Sequence, residues 1–315
     1  MDVIRGIDAF PQDAGPSAVT IGFFDGVHRG HQEVVGRTVR AAREGGIRAV
    51  ALTFDRHPRE VFSPGREPRL LTILERKTAL VAELGVDTLA VLEFTEEFSR
   101  WPPEDFVDRV LVKGLDARHV VVGENFTFGF RASGTVDTLR GMGRARGFTV
   151  EAVGLMRLGG RVVSSSSIRE ALIAGDLVWP HEALGRRFVL DGRVVRGAGR
   201  GAGLGWPTAN LQTLPRLLLP GQGVYAGRAE HNGRWYRAAV NVGVNPTFGL
   251  EPVHVEAFLL DFEGELLGDP VAIEFWARLR DETRFESAQA LSDQIARDVD
   301  RTRELVPADV SRDHH

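Results

Sequence analysis

A chain of 315 residues with 43% hydrophobic content is long enough to bury two cores, and its formal charge of -4 gives no electrostatic case for non-specific nucleic-acid binding. The absence of cysteine excludes disulfides, thiolate metal sites and cysteine nucleophiles; no apolar run is long enough for a membrane span and no basic-apolar leader is read, so the expectation is a cytoplasmic location without a membrane partner. Lys77 and Lys113 are the only lysines, which leaves arginine, histidine, backbone amides or metal to compensate phosphate charge.

The first informative stretch is Ala18-Val19-Thr20-Ile21-Gly22-Phe23-Phe24-Asp25-Gly26-Val27-His28-Arg29-Gly30-His31. Its β-branched run ends in glycines and a carboxylate, and two histidines three apart follow where helical polarity begins. The pattern predicts a strand, a phosphate-sized turn and a helix over about 32–44, stopped by Gly45-Gly46. Gly22, Gly26 and Gly30 let a phosphate approach backbone N–H groups near a helix N-terminus. His28 and His31 fall on one side of the first helical turn, within reach of one phosphoryl group. Neither a G-x-G-x-x-G fingerprint nor a G-x-x-x-x-G-K-(S/T) P-loop occurs in this stretch. A second strand at 48–54 runs into Asp55-Arg56-His57-Pro58, and polar groups at the C-terminal end of such a strand commonly line a ligand crevice.

Thr72 and Glu75 read as a capping box for a helix reaching about residue 84, and a strand follows at 88–92. Phe94, Phe98 and Trp101 precede a helix over 104–112; ligand contact is open to them, but packing is the more economical account of any one. A buried strand at 118–123 leads to Asn125, whose amide offers both a donor and an acceptor to a ligand or to its own loop. After a helix within 134–147 and a strand at 148–153 comes Ser164-Ser165-Ser166-Ser167-Ile168-Arg169-Glu170. Ser167 and Glu170 fit a capping box, and the hydroxyls with Arg169 form a clamp suited to polyphosphate charge.

Residues 177–184 read as a bridge, and from Gly185 the period changes to short β-like runs separated by Gly, Pro and Asn. We therefore expect domains at 1–184 and 185–315, an α/β domain followed by a compact β-barrel with a terminal helix packed through Ala288, Leu291, Ile295 and Val299. In the segment 194–210, Gly199, Gly201 and Gly205 permit close backbone approach to polyphosphate, and Arg200 adds charge. The ordered ending Trp206-Pro207-Thr208-Ala209-Asn210 places Thr208 and Asn210 to orient Mg2+ or phosphate oxygens. At 254–262, period two sets His254, Glu256, Phe258 and Leu260 opposite Val255, Ala257 and Leu259, with Glu256 either a general base or a surface carboxylate. Asn245 and Thr247 position a ligand or satisfy a turn, while Arg278, Arg280 and Phe285 close over a ligand or make salt bridges and packing contacts.

Taken together, these segments resemble the bacterial bifunctional riboflavin kinase/FAD synthetases. G-F-F-D-G-V-H-R-G-H-Q is similar to that family's N-terminal motif, which contains the H-x-G-H signature of the nucleotidyltransferase superfamily. T-F-x-x-H-P at 53–58, G-E-N-F-x-F-G at 123–129, S-S-(T/S)-x-I-R at 164–169, G-R-G-x-x-L-G-(F/W)-P-T-A-N at 199–210, G-x-x-P-T-F-G at 243–249 and V-E-x-x-x-x-D-F at 255–262 extend the likeness over nearly the whole chain. Three departures are mild: Phe23 where asparagine is common, Ser166 where threonine is common and Trp206 where phenylalanine is common.

The resemblance implies a Rossmann-like nucleotidyltransferase α/β/α domain followed by a riboflavin-kinase barrel. It implies phosphorylation of riboflavin by ATP to FMN, then adenylyl transfer from ATP to FMN giving FAD and pyrophosphate, with Mg2+ as cofactor. Catalytic roles carry onto His28, His31, Arg169 and Glu256. Nucleotide and flavin contact carries onto Gly22, Phe23, Asp25, Gly26, His57, Asn125, Ser164, Ser165 and Ser166 in the first half. In the second it carries onto Gly199, Arg200, Gly201, Gly205, Pro207, Thr208, Asn210, Arg278 and Phe285, with Thr208 and Asn210 beside the metal. The partners implied are flavins and adenine nucleotides; a homo-oligomer is possible, although the sequence is silent on it. Alternatives left open are a chain with one working module and a non-catalytic flavin-binding regulatory or storage protein.

Overall fold

The computed structural model describes residues 1–10, 14–197, 206–244 and 253–308. Contacts divide the chain into two compact units, the first formed by Met1–Arg69 and Ile73–Ser165, the second by Leu70–Thr72 and everything from Ser166 onward.

The first unit is a six-stranded, all-parallel sheet in the order β1-β4-β3-β2-β5-β6. Its strands are β1 (Asp2–Arg5), β2 (Ser17–Ile21), β3 (Arg48–Phe54), β4 (Thr88–Leu92), β5 (Ala117–Gly123) and β6 (Thr149–Val153). The edge strand β1 is four residues long and was not anticipated from the sequence. Every residue of β2 and β4 is buried, because helices cover both faces as the parallel arrangement requires. On one face, Ala51, Leu89 and Val91 pack with α1 (Arg29–Gly45) and α3 (Leu74–Glu83). On the other, Val50, Leu52 and Val120 pack with α6 (Val136–Arg146) and with the helix that opens as α5 (Pro103–Phe106). That helix continues through Val107–Gly114 with wider turns, Leu115 N–H reaching the Val110 carbonyl at 2.9 Å. Two short helices, α2 (Pro58–Phe62) and α4 (Glu96–Ser99), and a two-stranded ribbon of β7 (Arg157–Leu158) and β8 (Arg161–Val162) complete it. Each fully buried leucine, such as Leu52, Leu89 or Leu139, contributes about 1.5–3 kcal/mol of apolar transfer energy.

Strand order reverses at β2, with β3 on one side and β5 on the other. At such a switch point the loops leaving the strands diverge and open a crevice at their C-terminal ends. The segments leaving β2 and β5 there are the glycine turn and the Asn125 loop.

The second unit is a closed antiparallel barrel, β10-β13-β12-β11-β14-β9. Its strands are β9 (Phe188–Val195), β10 (Ala209–Gln212), β11 (Gly223–His231), β12 (Arg234–Gly243), β13 (His254–Leu259) and β14 (Pro270–Arg280), filled by Leu190, Tyr225, Ile273 and Phe275. The long β11–β12 hairpin turns on Asn232 and Gly233, both at positive φ of 50° and 78°, as a two-residue turn of this twist demands. α7 (Ser165–Ile173) and α8 (Val178–Leu184) precede the barrel, and helix α9 (Ala288–Leu305) packs on β11, β12 and β14.

Three sequence expectations change. The α3 N-cap is Ile73 with no side-chain cap, so Thr72 and Glu75 form no capping box around that helix start. α7 begins at Ser165, which puts Ser167 inside the first turn, where its hydroxyl accepts from Trp179 Nε1 at 3.3 Å. Val178–Leu184 is a helix where the sequence reads a bridge over 177–184, started by the Asp176 carboxylate, which accepts from the Val178 and Trp179 N–H groups at 2.8 and 3.3 Å. By packing, nearly all of α7 and the whole of α8 lie with the second unit. Gly221 N–H bonds the Leu172 carbonyl at 2.8 Å within that unit.

Candidate active sites

The turn between β2 and α1 is held in an unusual backbone conformation. Phe24 and Val27, both non-glycine, sit at φ of 53° and 41°, with Gly26 at 80°. Each left-handed non-glycine residue costs roughly 1–2 kcal/mol. Four side-chain hydrogen bonds offset this by capturing three alternate carbonyls. The Phe23 oxygen accepts from Lys77 Nζ at 2.7 Å and Thr53 Oγ1 at 3.2 Å; Asp25 O accepts from Ser165 Oγ at 2.9 Å; Val27 O accepts from Gln32 Nε2 at 2.9 Å. A carbonyl engaged by a donor is one whose partial negative charge an incoming phosphate does not meet.

His28 is the N-cap of α1, its Nδ1 accepting the His31 N–H at 3.3 Å. The two imidazoles stack with centroids 3.6 Å apart and planes 18° from parallel, and the Phe24 ring meets His31 edge-on at 5.3 Å. A Cβ on Gly30 would press on the His28 ring at 3.2 Å, and one on Gly22 would overlap the Phe24 ring at 2.8 Å and force it to shift. Asp25 and His28 are buried, and His31 Nδ1 is buried with no hydrogen-bond partner among the described residues. Burial, assisted by the nearby charges of His28 and Lys77, holds the His31 imidazole well below the usual histidine range. Burial also pushes the Lys77 ammonium down to about 8, against the opposing pull of Asp25. The site is thus built around a neutral His31 that an anion would favour protonating.

A stability signature follows from His31. Above an unfolded-state pKa of about 6.5 neither state holds the proton; below it the unfolded chain binds a proton that the folded site refuses, so stability falls with pH. Urea unfolding of the first unit should lose up to about 1.4 kcal/mol from this group as the pH drops from 7.5 to 5.5. The same melts on His31→Gln should show that part of the slope removed.

The crevice has a polar and an apolar side. His57 caps α2, accepting the Arg59 N–H at 3.1 Å while Glu60 accepts the His57 N–H at 2.6 Å, and its ring meets Phe23 edge-on at 5.0 Å. Asn125 follows β5 with its Oδ1 over Gly123. Beside them a cavity of about 510 Å³ is lined almost wholly by apolar groups, among them Ile21, Phe54, Phe94, Phe98, Phe106 and Phe128. The aromatics read from sequence as packing therefore do both: they contact one another at centroid distances of 5.3–5.6 Å and wall a ring-sized space.

The serine motif reaches the glycine turn through Ser165, whose hydroxyl ties to Asp25 across 140 positions of sequence. Ser164 and Ser165 pack with the first unit, whereas Ser166 and Arg169 belong to the part of α7 that packs with the second. Lys77 is the site residue the sequence reading missed; a lysine in a helix carries no sign that it is 3% exposed.

On the barrel, β13 alternates as read: Val255, Ala257 and Leu259 are buried inside, while His254, Glu256 and Phe258 are half-buried on the outer face. Leu260 breaks that alternation: it lies beyond β13 and is buried. Glu256 is in register with Asn210 on β10 and Asn241 on β12. Thr208 Oγ1 lies 3.5 Å from Glu256 Oε2, and His254 Nε2 lies 3.6 Å from Oε1. Close by, Asn241 donates to Glu282 at 3.3 Å. A Cβ on Gly197 or Gly243 would displace the Asn210 amide (2.0 Å) or the Glu282 carboxylate (1.7 Å) from where they stand. Hydroxyl, amide and carboxylate oxygens gathered here are the hard donor set that suits Mg2+, which keeps much of its water. Trp206 beside Pro207 seats against Phe258 at 5.2 Å and gives its indole N–H to Ser292 at 3.1 Å, a bond phenylalanine could not make. Gly199, Arg200, Gly201 and Gly205, with Asn245 and Thr247, lie outside the described residues. The described contacts of Arg278 include Asp281 at 2.6 Å, the Gln222 carbonyl at 2.8 Å and the Tyr225 hydroxyl, and those of Phe285 include Arg280, none of them in the Glu256 cluster.

Comparison with known proteins finds a match for each half of the chain. The model of the FAD synthetase family matches residues 10–167, and that of riboflavin kinase matches residues 184–306. The bifunctional riboflavin kinase/FMN adenylyltransferase of Pseudomonas fluorescens is 38% identical over 99% of this chain and 100% of its own. The protein of that name from Bacillus subtilis (strain 168) is 36% identical over 91% and 92%. A crystal structure described as a macrolide-efflux protein from Streptococcus pneumoniae superposes with a TM-score of 0.87 at 29% identity, covering 97% of this chain and 100% of that one. Among the described residues no helix is long and apolar enough to cross a membrane. With both matches in order along one α/β unit and one barrel, the chain belongs to the bifunctional riboflavin kinase/FMN adenylyltransferase family.

Proposed function

We propose that the barrel transfers the γ-phosphoryl group of ATP to the ribityl hydroxyl of riboflavin, giving FMN and ADP. The α/β unit then joins FMN to the adenylyl group of a second ATP, giving FAD and pyrophosphate. The observation that carries the adenylyl step is the stacked His28–His31 pair at the start of α1, tied through Asp25 to the serine motif. There the nucleophile is a phosphate oxygen already ionised near neutral pH, so the site has to align and neutralise rather than deprotonate. His28 and His31 donate to the ATP phosphates as pyrophosphate departs, with Gly22, Phe23, Asp25 and Gly26 forming the turn beneath them. Ser164, Ser165, Ser166 and Arg169 extend the phosphate contact on the strength of their motif. The aromatic cavity takes the flavin ring system, with His57 and Asn125 at its polar edge.

In the barrel, Glu256 accepts the proton of the attacking hydroxyl, with Thr208 Oγ1 3.5 Å from its carboxylate and Asn210 its register neighbour on β10. Thr208 and Asn210 are also the residues that would hold Mg2+, which supplies charge neutralisation on the ATP phosphates. Gly199, Arg200, Gly201, Gly205 and Pro207 form the nucleotide loop by motif, and Arg278 and Phe285 are assigned to flavin closure on the same basis alone. Because both steps consume ATP, this reading carries a cytoplasmic location with it. The test is a chromatographic time course with riboflavin, ATP and Mg2+: FMN should rise and then give way to FAD, with ADP and pyrophosphate in step. FMN without FAD would leave only the kinase; no product from riboflavin or FMN would favour a flavin-binding protein without turnover.

A further inference from the structure

Lys77 occupies a core position of α3, and an ammonium in such a place is costly unless it is paired. Its Nζ donates to the Phe23 carbonyl at 2.7 Å and stands 4.1 Å from the centroid of the Phe23 ring. Asp25, itself buried, is the opposite charge acting on it. The acceptor it takes is significant because the orientation of the Phe23 carbonyl is the orientation of the Phe23–Phe24 peptide plane, and that plane sets φ of Phe24, one of the two left-handed residues of the turn. The Phe24 ring in turn is the edge against which His31 rests. A chain of contacts therefore runs from the ammonium through one peptide plane and one ring to the imidazole, all within the first unit.

We infer that Lys77 is a positioning residue for adenylyl transfer, its ammonium fixing the Phe23–Phe24 peptide so that His31 meets the ATP phosphates in register. The inference rests on the adenylyl-transfer reading of this site. Lys77 touches no reacting atom, so its loss should slow turnover more than it weakens flavin binding.

The test uses the full chain carrying Lys77→Met, which keeps the reach and removes the donor and the charge. We expect kcat for FMN-to-FAD conversion to fall about 100-fold, with KM for FMN within about threefold and phosphorylation of riboflavin by the same molecules within about twofold. A second variant exploits the absence of cysteine from the chain. Lys77→Cys, alkylated in mild denaturant with 2-bromoethylamine and refolded, regains an ammonium at lysine length and should recover most of the lost kcat. Adenylyl transfer by Lys77→Met within about threefold of the parent would overturn the inference. So would aminoethylated protein, verified by mass and still an active kinase, that turns over no faster than its unalkylated form. Failure of the unsubstituted chain to make FAD from FMN would instead strike the functional reading beneath it.

Discussion

His28→Asn should leave a chain that phosphorylates riboflavin at the parental rate and accumulates FMN, with FAD formation down by about 10²–10³-fold. Asparagine is among the best N-cap residues, so the substitution preserves the start of α1 while taking away the imidazole stacked at 3.6 Å on His31. The loss therefore reports the ring and not an unravelled helix. It should appear in kcat, because the ring's donated hydrogen bond grows in value as charge builds on the departing pyrophosphate. Combining His28→Asn with His31→Gln should cost little more than the worse single change, since two rings clasping one phosphate act as a unit. Stopped time points assayed for FMN and FAD, with melting curves alongside, check all three variants.

Glu256→Gln is the mirror experiment. Glutamine keeps the reach and still accepts from Thr208, but it takes no proton, so riboflavin phosphorylation should fall by about 10²–10⁴-fold. FMN supplied directly should still become FAD at the parental rate. Mixing the two variants should restore conversion of riboflavin to FAD, because FMN released by the barrel of one molecule serves the α/β unit of another. A mixture that makes FMN and no FAD would mean that FMN does not pass between molecules.

How much of this was legible in the letters varied with the physics behind each feature. The strand–turn–helix around His28 was readable because β-branched residues, glycines and histidine spacing all act locally. β13 was readable for the same reason, since its two faces meet different surroundings and so alternate cleanly. Helix starts were less secure. Ser167 with Glu170 had the letters of a capping box, yet the helix begins at Ser165, and α8 was overlooked although Asp176 supplies its cap. Pro180 is no obstacle to that helix, because it stands in the first turn, where no N–H is needed. The Asn232-Gly233 pair was a local signal for the long hairpin that went unused. Lys77 had no local signal. Its burial arises from packing between α3 and the glycine turn, and a charged letter on a helix reads by default as a solvated face.

The bond from Ser165 to the Asp25 carbonyl also has a consequence for biosynthesis. Translation delivers the histidines early, but the hydroxyl that closes their turn is 140 residues further along the message. At 5–20 residues per second the nascent chain spends roughly 7–28 s with the phosphate turn made and its tie still untranslated. A ribosome that stalls or aborts in that interval releases a fragment bearing the H-x-G-H letters without the clasp that sets them, and such a fragment should not consume ATP. Completion of the α/β unit thereby serves as the checkpoint on its own chemistry.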